Sequence, residues 1–127
     1  MLLPCDGAAA GVLADHEGMH GDDVARMPDQ VRRAARVCRN GEIEWPLPLA
    51  RAAVGALAAA GRIIVGLDIR DYDVEGRFVE VAWSEFEPGI YGSLLQTVES
   101  SRAAATAALD RAFEYQPWND PWVVVTW

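Results

Sequence analysis

Apolar positions return at helical spacing from Val24 through Met27, Val31, Ala34, Ala35 and Cys38. They predict a first helix, capped by Asp22 and Asp23 and stopped at Asn40-Gly41. A second helix is predicted after Glu42-Ile43-Glu44-Trp45-Pro46-Leu47-Pro48, because Pro46 and Pro48 are tolerated only near a first turn. It runs through an alanine-rich stretch to Gly61, a residue suited to the position just past a helix end.

The period then changes from 3.6 to 2. Ile63, Val65, Leu67 and Ile69 share one face of a predicted strand, and Val79, Val81 and Trp83 share one face of a second. Between them lies an Asp- and Gly-containing turn, so the two strands form an antiparallel hairpin. If the apolar faces coincide, Ile69 opposes Val79, Leu67 opposes Val81 and Val65 opposes Trp83, with a turn at Tyr72 to Gly76. Ser93 and Gln96 have capping-box spacing and open a helix reaching about Tyr115, with Leu95, Val98, Ala105, Leu109 and Phe113 inward. After Pro117-Trp118-Asn119-Asp120-Pro121 the chain ends in a short strand, Trp122-Val-Val-Val-Thr-Trp127. The order helix, helix, strand, strand, helix, strand is α+β, with the hairpin packed on helices.

A chain of 127 residues, 51% hydrophobic and 24% charged, fits one domain spanning 1–127 with its own core. Residues 1–21 lack core patterning and read as a loosely attached polar extension. No apolar run reaches the roughly 20 residues of a membrane span, and the opening segment has no basic region of a signal peptide. The expected location is the cytoplasm. Cys5 and Cys38 have no metal-ligand spacing and no disulfide framework, which leaves Cys38 as a small buried apolar residue.

Nineteen acidic residues against eleven basic ones give a net charge of −8. This balance argues against nucleic-acid or anionic-membrane binding and suits a basic protein partner.

His16-Glu17-Gly18-Met19-His20 matches the zincin pattern, in which two imidazoles one turn apart hold zinc beside a general base. Such a helix needs a preceding sheet and a third ligand. Only fifteen residues precede His16, Gly18 and Gly21 weaken the helix, and the chain has no third histidine. The expectation is therefore no catalytic metal and no cofactor. A metal-dependent hydrolase using His16, Glu17 and His20 stands as a third reading. No nucleophile and base lie together in sequence, and no phosphate loop is present, so the chain is expected not to be an enzyme.

The hairpin carries the densest charge: residues 62–87 hold seven acidic residues against three arginines. The predicted register places Asp68 opposite Glu80 and Arg70 opposite Phe78, so two carboxylates confront each other across the ladder. Either Arg70 neutralises them on an exposed face, or a cationic partner completes the site. The candidate partner-binding residues are Asp68, Arg70, Asp71, Asp73, Glu75 and Glu80, together with Trp118, which sits on a loop and is of a residue type common at interface hot spots.

The stretches Glu42-Ile-Glu-Trp-Pro-Leu-Pro-Leu-Ala-Arg-Ala-Ala-Val-Gly-Ala-Leu57 and Gly61 to Pro88 resemble small immunity proteins of bacterial polymorphic-toxin systems. An aromatic-led helix, a strand with an Ile-Val-Gly-x-Asp step, a Tyr-Asp turn and a second strand carrying Trp make up the likeness, over roughly residues 42–92. The resemblance implies an inhibitor that binds one cognate toxin domain without chemistry of its own. Its matching positions, Gly66, Asp68, Tyr72 and Asp73, are compatible with fold and turn roles as well as with toxin contact. The alternative reading is a small interaction module with no toxin partner.

Overall fold

A computed structural model describes residues 19–86, 93–115 and 117–127. The expected first helix is two short ones, α1 (Met19–Ala25) and α2 (Asp29–Ala34). Pro28 separates them: its ring disfavours helical geometry at Met27, and its own φ −52, ψ 147 is extended. Ala35 is again extended, at φ −65, ψ 140, and turns the chain into β1 (Arg36–Val37). Asp22 lies in the first turn of α1. Asp23 is buried, accepting from Arg62 Nε at 3.1 Å and Trp127 Nε1 at 2.9 Å.

The expected helix stop at Asn40-Gly41 is instead the turn of a small hairpin. Gly41 has φ 87, its N–H donates to Cys38 O at 2.9 Å, and Cys38 N–H donates to Glu42 O at 2.7 Å. Gly41 alone takes positive φ here, the position at which a short hairpin loop calls for glycine. The hairpin delivers β2 (Ile43–Pro46), which pairs Val37 with Ile43 and Arg36 with Glu44. Cys38 is buried and disulfide-bonded, which corrects its reading as a simple apolar residue; the chain's other cysteine, Cys5, lies outside the described residues.

Helix α3 (Leu47–Ala59) follows directly, with Pro48 in its first turn. It ends as its glycine implies: Gly61, at φ 81, donates to Ala58 O and Arg62 donates to Leu57 O, both at 2.9 Å, satisfying carbonyls the helix leaves open. Strands β3 (Gly66–Tyr72) and β4 (Phe78–Glu85) form the expected hairpin, and α4 (Leu94–Glu114) carries the Ser93–Gln96 capping box. Its buried stripe includes Val98, Ala105 and Leu109 as expected, but continues to Ala112. Leu95 and Phe113 are 79% and 40% exposed. Strand β5 (Pro121–Thr126) is last.

The sheet order is β1-β2-β5-β3-β4, and every neighbouring pair is antiparallel. Because β5 lies between β2 and β3, the units β2-α3-β3 and β4-α4-β5 are two split crossovers interlocked through the sheet. Their helices, with α1 and α2, share one core with Ile43, Trp45, Leu67, Ile69, Val123 and Val125, all from the same sheet face. Trp45 is fully buried there, and its Nε1–H donates to Val31 O at 3.0 Å. The fold is α+β. Two strands more than expected come from the 36–46 segment, where helical periodicity ran on into β structure.

Candidate functional site

The helices cover one face of the sheet, and the opposite face is where charged side chains gather. In register across it lie Arg36 opposite Glu44, Glu44 opposite Val124, and Val124 opposite Asp68. One step along, Trp122 opposes Arg70 and Arg70 opposes Glu80; beyond them Tyr72 opposes Phe78.

This corrects the predicted register. A bulge at the Ile69/Arg70 step leaves Val81 without an opposite number, so Ile69 pairs with Ala82 and Arg70 with Glu80. Asp68 faces Trp83 in the ladder rather than Glu80, and the like-charge confrontation is replaced by an Arg–Glu pair. The five-residue turn is kept but displaced by one, running from Asp73 to Arg77. Val79 and Val81, expected in the core, are 56% and 40% exposed.

Glu44 is the centre of the charged face. It is fully buried, accepts the Tyr72 hydroxyl at 2.9 and 3.0 Å, and accepts Arg36 Nε at 2.6 Å. The Arg36 guanidinium lies 3.8 Å from the Trp122 ring centroid and 4.8 Å from that of Tyr72, so an ion pair is clasped between two aromatic faces. Burial first, and then the charge of Glu44, push the Tyr72 phenol up to about 12. It therefore stays a hydrogen-bond donor. Arg70 is buried beside this group, with Nη2 2.8 Å from Glu42, its guanidinium 4.4 Å from the Phe78 ring centroid, and Nε 4.0 Å from Glu80. Burial opposes ionisation of Glu42, but hydrogen bonds from Asn40 and Arg70 outweigh it and lower its pKa. With Glu44 closed off and every charge countered by a neighbour, this network braces the sheet and offers no nucleophile.

The expected docking carboxylates divide into two groups. Asp71 accepts the backbone N–H of Asn119 at 3.1 Å and of Asp120 at 2.7 Å, tying the hairpin to the loop before β5. Asp73 accepts the N–H groups of Glu75 and Arg77 at 2.9 and 3.0 Å and so closes the turn, while Glu75 pairs with Arg77. These three serve the fold. The other group is Asp68 and Glu80, with Glu85 added by the structure. Burial and then the charge of Glu80 raise the Asp68 pKa; Arg70 opposes them, and Glu42 and Glu85 reinforce them. Arg70 itself is 7% exposed, a brace rather than a surface group. Trp118 is half-buried against the core, with its Nε1–H donating to Ala112 O at 2.9 Å and its ring 5.7 Å from that of Tyr115.

On the helix side of β4, a cavity of about 200 Å³ opens between the strand and α4, lined among others by Leu67, Ile69, Val81, Ala112, Tyr115 and Trp118. Its lining is mainly apolar, with Arg111 its charged member. Periodicity placed Leu67, Ile69 and Val81 on this face, but nothing in residue type shows that α4 and the strand leave a gap between them.

In the zincin-like motif, His16 and Glu17 lie outside the described residues. His20 is in the first turn of α1, its Nε2 3.0 Å from Trp127 O and its ring 4.4 Å from the Trp127 indole, so it is engaged in joining α1 to the end of β5. Among the described residues, no three His, Cys, Asp or Glu side chains are grouped to hold a metal ion, and no helix is long and apolar enough to cross a membrane. No protein-family model, curated protein or solved structure matches the chain.

Proposed function

We propose that the chain is an immunity-type inhibitor that binds a basic surface of a cognate toxin domain through the carboxylates of Asp68, Glu80 and Glu85. The observation that carries this reading is the grouping of carboxylates at this end of the sheet: half-buried Asp68 one strand in from exposed Glu80 and Glu85 on the edge strand, with Arg70 answering only part of their charge. The net charge of −8 extends the same attraction over a longer range and favours fast steered encounter. The resemblance over residues 42–92 points the same way.

The test is association kinetics with the toxin domain encoded beside this chain's gene. Asp68→Asn with Glu85→Gln should slow association about tenfold at low salt while changing dissociation little. The effect should fade as the Debye length shrinks from about 10 Å at 0.1 M to about 3 Å at 1 M. Association rates indifferent to both substitutions and salt would sink the proposal. Asp71→Asn serves as the control: it should lower stability through the 119–120 loop without a salt-dependent effect on association.

A further inference from the structure

Strand β4 is one edge of the sheet; among the described residues seven of its eight positions pair with β3, the bulged Val81 has no opposite number, and no other strand pairs with it. An open edge presents unpaired backbone donors and acceptors, which a second extended segment satisfies by joining the sheet. The two sides of this edge differ sharply. Toward α4 lie exposed Val79 and Val81 and the apolar cavity of about 200 Å³. Toward the charged face lie Glu80 and Glu85, with Asp68 one strand in.

We infer that β4 binds an extended partner segment in which apolar residues alternate with lysine or arginine, added as a sixth strand. Neighbouring residues of a strand point to opposite sides, so one alternate set enters the cavity and the other meets the carboxylates. The cavity has room for one or two apolar side chains, and Glu80 and Glu85 on the other side of the edge offer carboxylates to the partner's cations. A second copy of this chain is a poor occupant, because edge-to-edge pairing sets Glu80 and Glu85 of one copy against those of the other. The inference rests on the docking reading above and names the element of the partner that docks.

The whole chain is titrated with a blocked peptide of about nine alternating valine and lysine residues, a length that spans β4. Amide exchange is followed at positions 79–85, and affinity by calorimetry. Expected are slowed exchange at those amides and about tenfold weaker binding for each of three changes: a peptide of the same composition with its lysines in one block, a peptide N-methylated at alternate residues, and the variant Val81→Asp. Val81 is exposed, so that variant keeps the core, and an unchanged melting curve verifies it. Equal binding by the block peptide reduces the effect to charge attraction, and equal binding by the N-methylated peptides in both phases excludes a ladder. Unchanged exchange at 79–85, or a concentration-dependent dimer protecting those amides without peptide, also overturns the inference. A toxin that associates with the salt dependence given above yet leaves 79–85 exchange unchanged overturns the strand pairing and keeps the docking reading. Peptide pairing without any such toxin association does the reverse.

Discussion

Glu44 shows how little residue type says about role. In sequence it is one acidic residue among nineteen, flanked by Ile43 and Trp45. In the fold it is fully buried, held by Arg36 and Tyr72, because the strand alternation that sends Ile43 and Trp45 into the core turns Glu44 to the other face. Glu44→Ala leaves Arg36 and the Tyr72 hydroxyl without their acceptor and should cost about 3 kcal/mol, the low end for breaking a buried pair because Arg36 keeps 27% exposure. Tyr72→Phe should cost less, about 1.5–3 kcal/mol for a hydrogen bond to a charged group, and denaturant titration of both variants checks the order. Asp68 behaves oppositely. Its pKa is raised above its ordinary 3.8 on folding, so the folded state prefers the protonated form and is penalised once pH passes the unfolded value. Asp68→Asn should therefore melt higher than the parent at about pH 7, with the gap closing toward about pH 3; a gap that widens on acidification contradicts the assignment. The acidity of the hairpin was legible in sequence, but the division between structural and free carboxylates was not. It depends on which backbone N–H groups the 119–120 loop brings to Asp71.

At the scale of elements, local signals held where the chain's own chemistry sets the geometry. The Ser93–Gln96 box opens α4 with both of its reciprocal bonds, 2.9 and 3.1 Å, and Gly61 closes α3. Gly55 within α3 and Gly61 just past its end should therefore respond with opposite signs. Gly61→Ala is strained at φ 81 and should cost about 1–2 kcal/mol. Gly55→Ala, mid-helix and facing open space, should stabilise by about 0.5–1 kcal/mol. Local signals failed where pairing decides. Nothing in Val79-Glu80-Val81-Ala82 shows that one residue bulges or that this strand lies at the sheet edge, where both valines stay exposed on the helix side. The consequence is measurable: Leu67→Ala should cost about 2–5 kcal/mol, whereas Val79→Ala should cost well under 1. Similar losses at both sites would restore the simple register.

At the scale of the molecule, α+β was readable from the succession of periods, but the sheet's order was not, because no residue pattern says which strands become neighbours. The ends of the described fold meet through side chains. His20 and Asp23 of α1 both contact Trp127, and Arg62 reaches Asp23 from the start of the β3 segment. Asp23→Ala should release Arg62 and the Trp127 indole together and quicken amide exchange along α1 more than along α4, which shares none of these contacts.

The last strand in sequence, β5, is the middle strand of the sheet. During synthesis β2 and β3 emerge long before the strand that must lie between them, and until Pro121–Thr126 follows they have no sheet to join. Until then the β-structure is in two halves, the 36–46 hairpin and the 66–85 hairpin, and their union joins strands over long sequence separations. Nascent chains stalled before Val123 should be open to protease throughout, whereas chains extended until Pro121–Thr126 has cleared the tunnel should resist it.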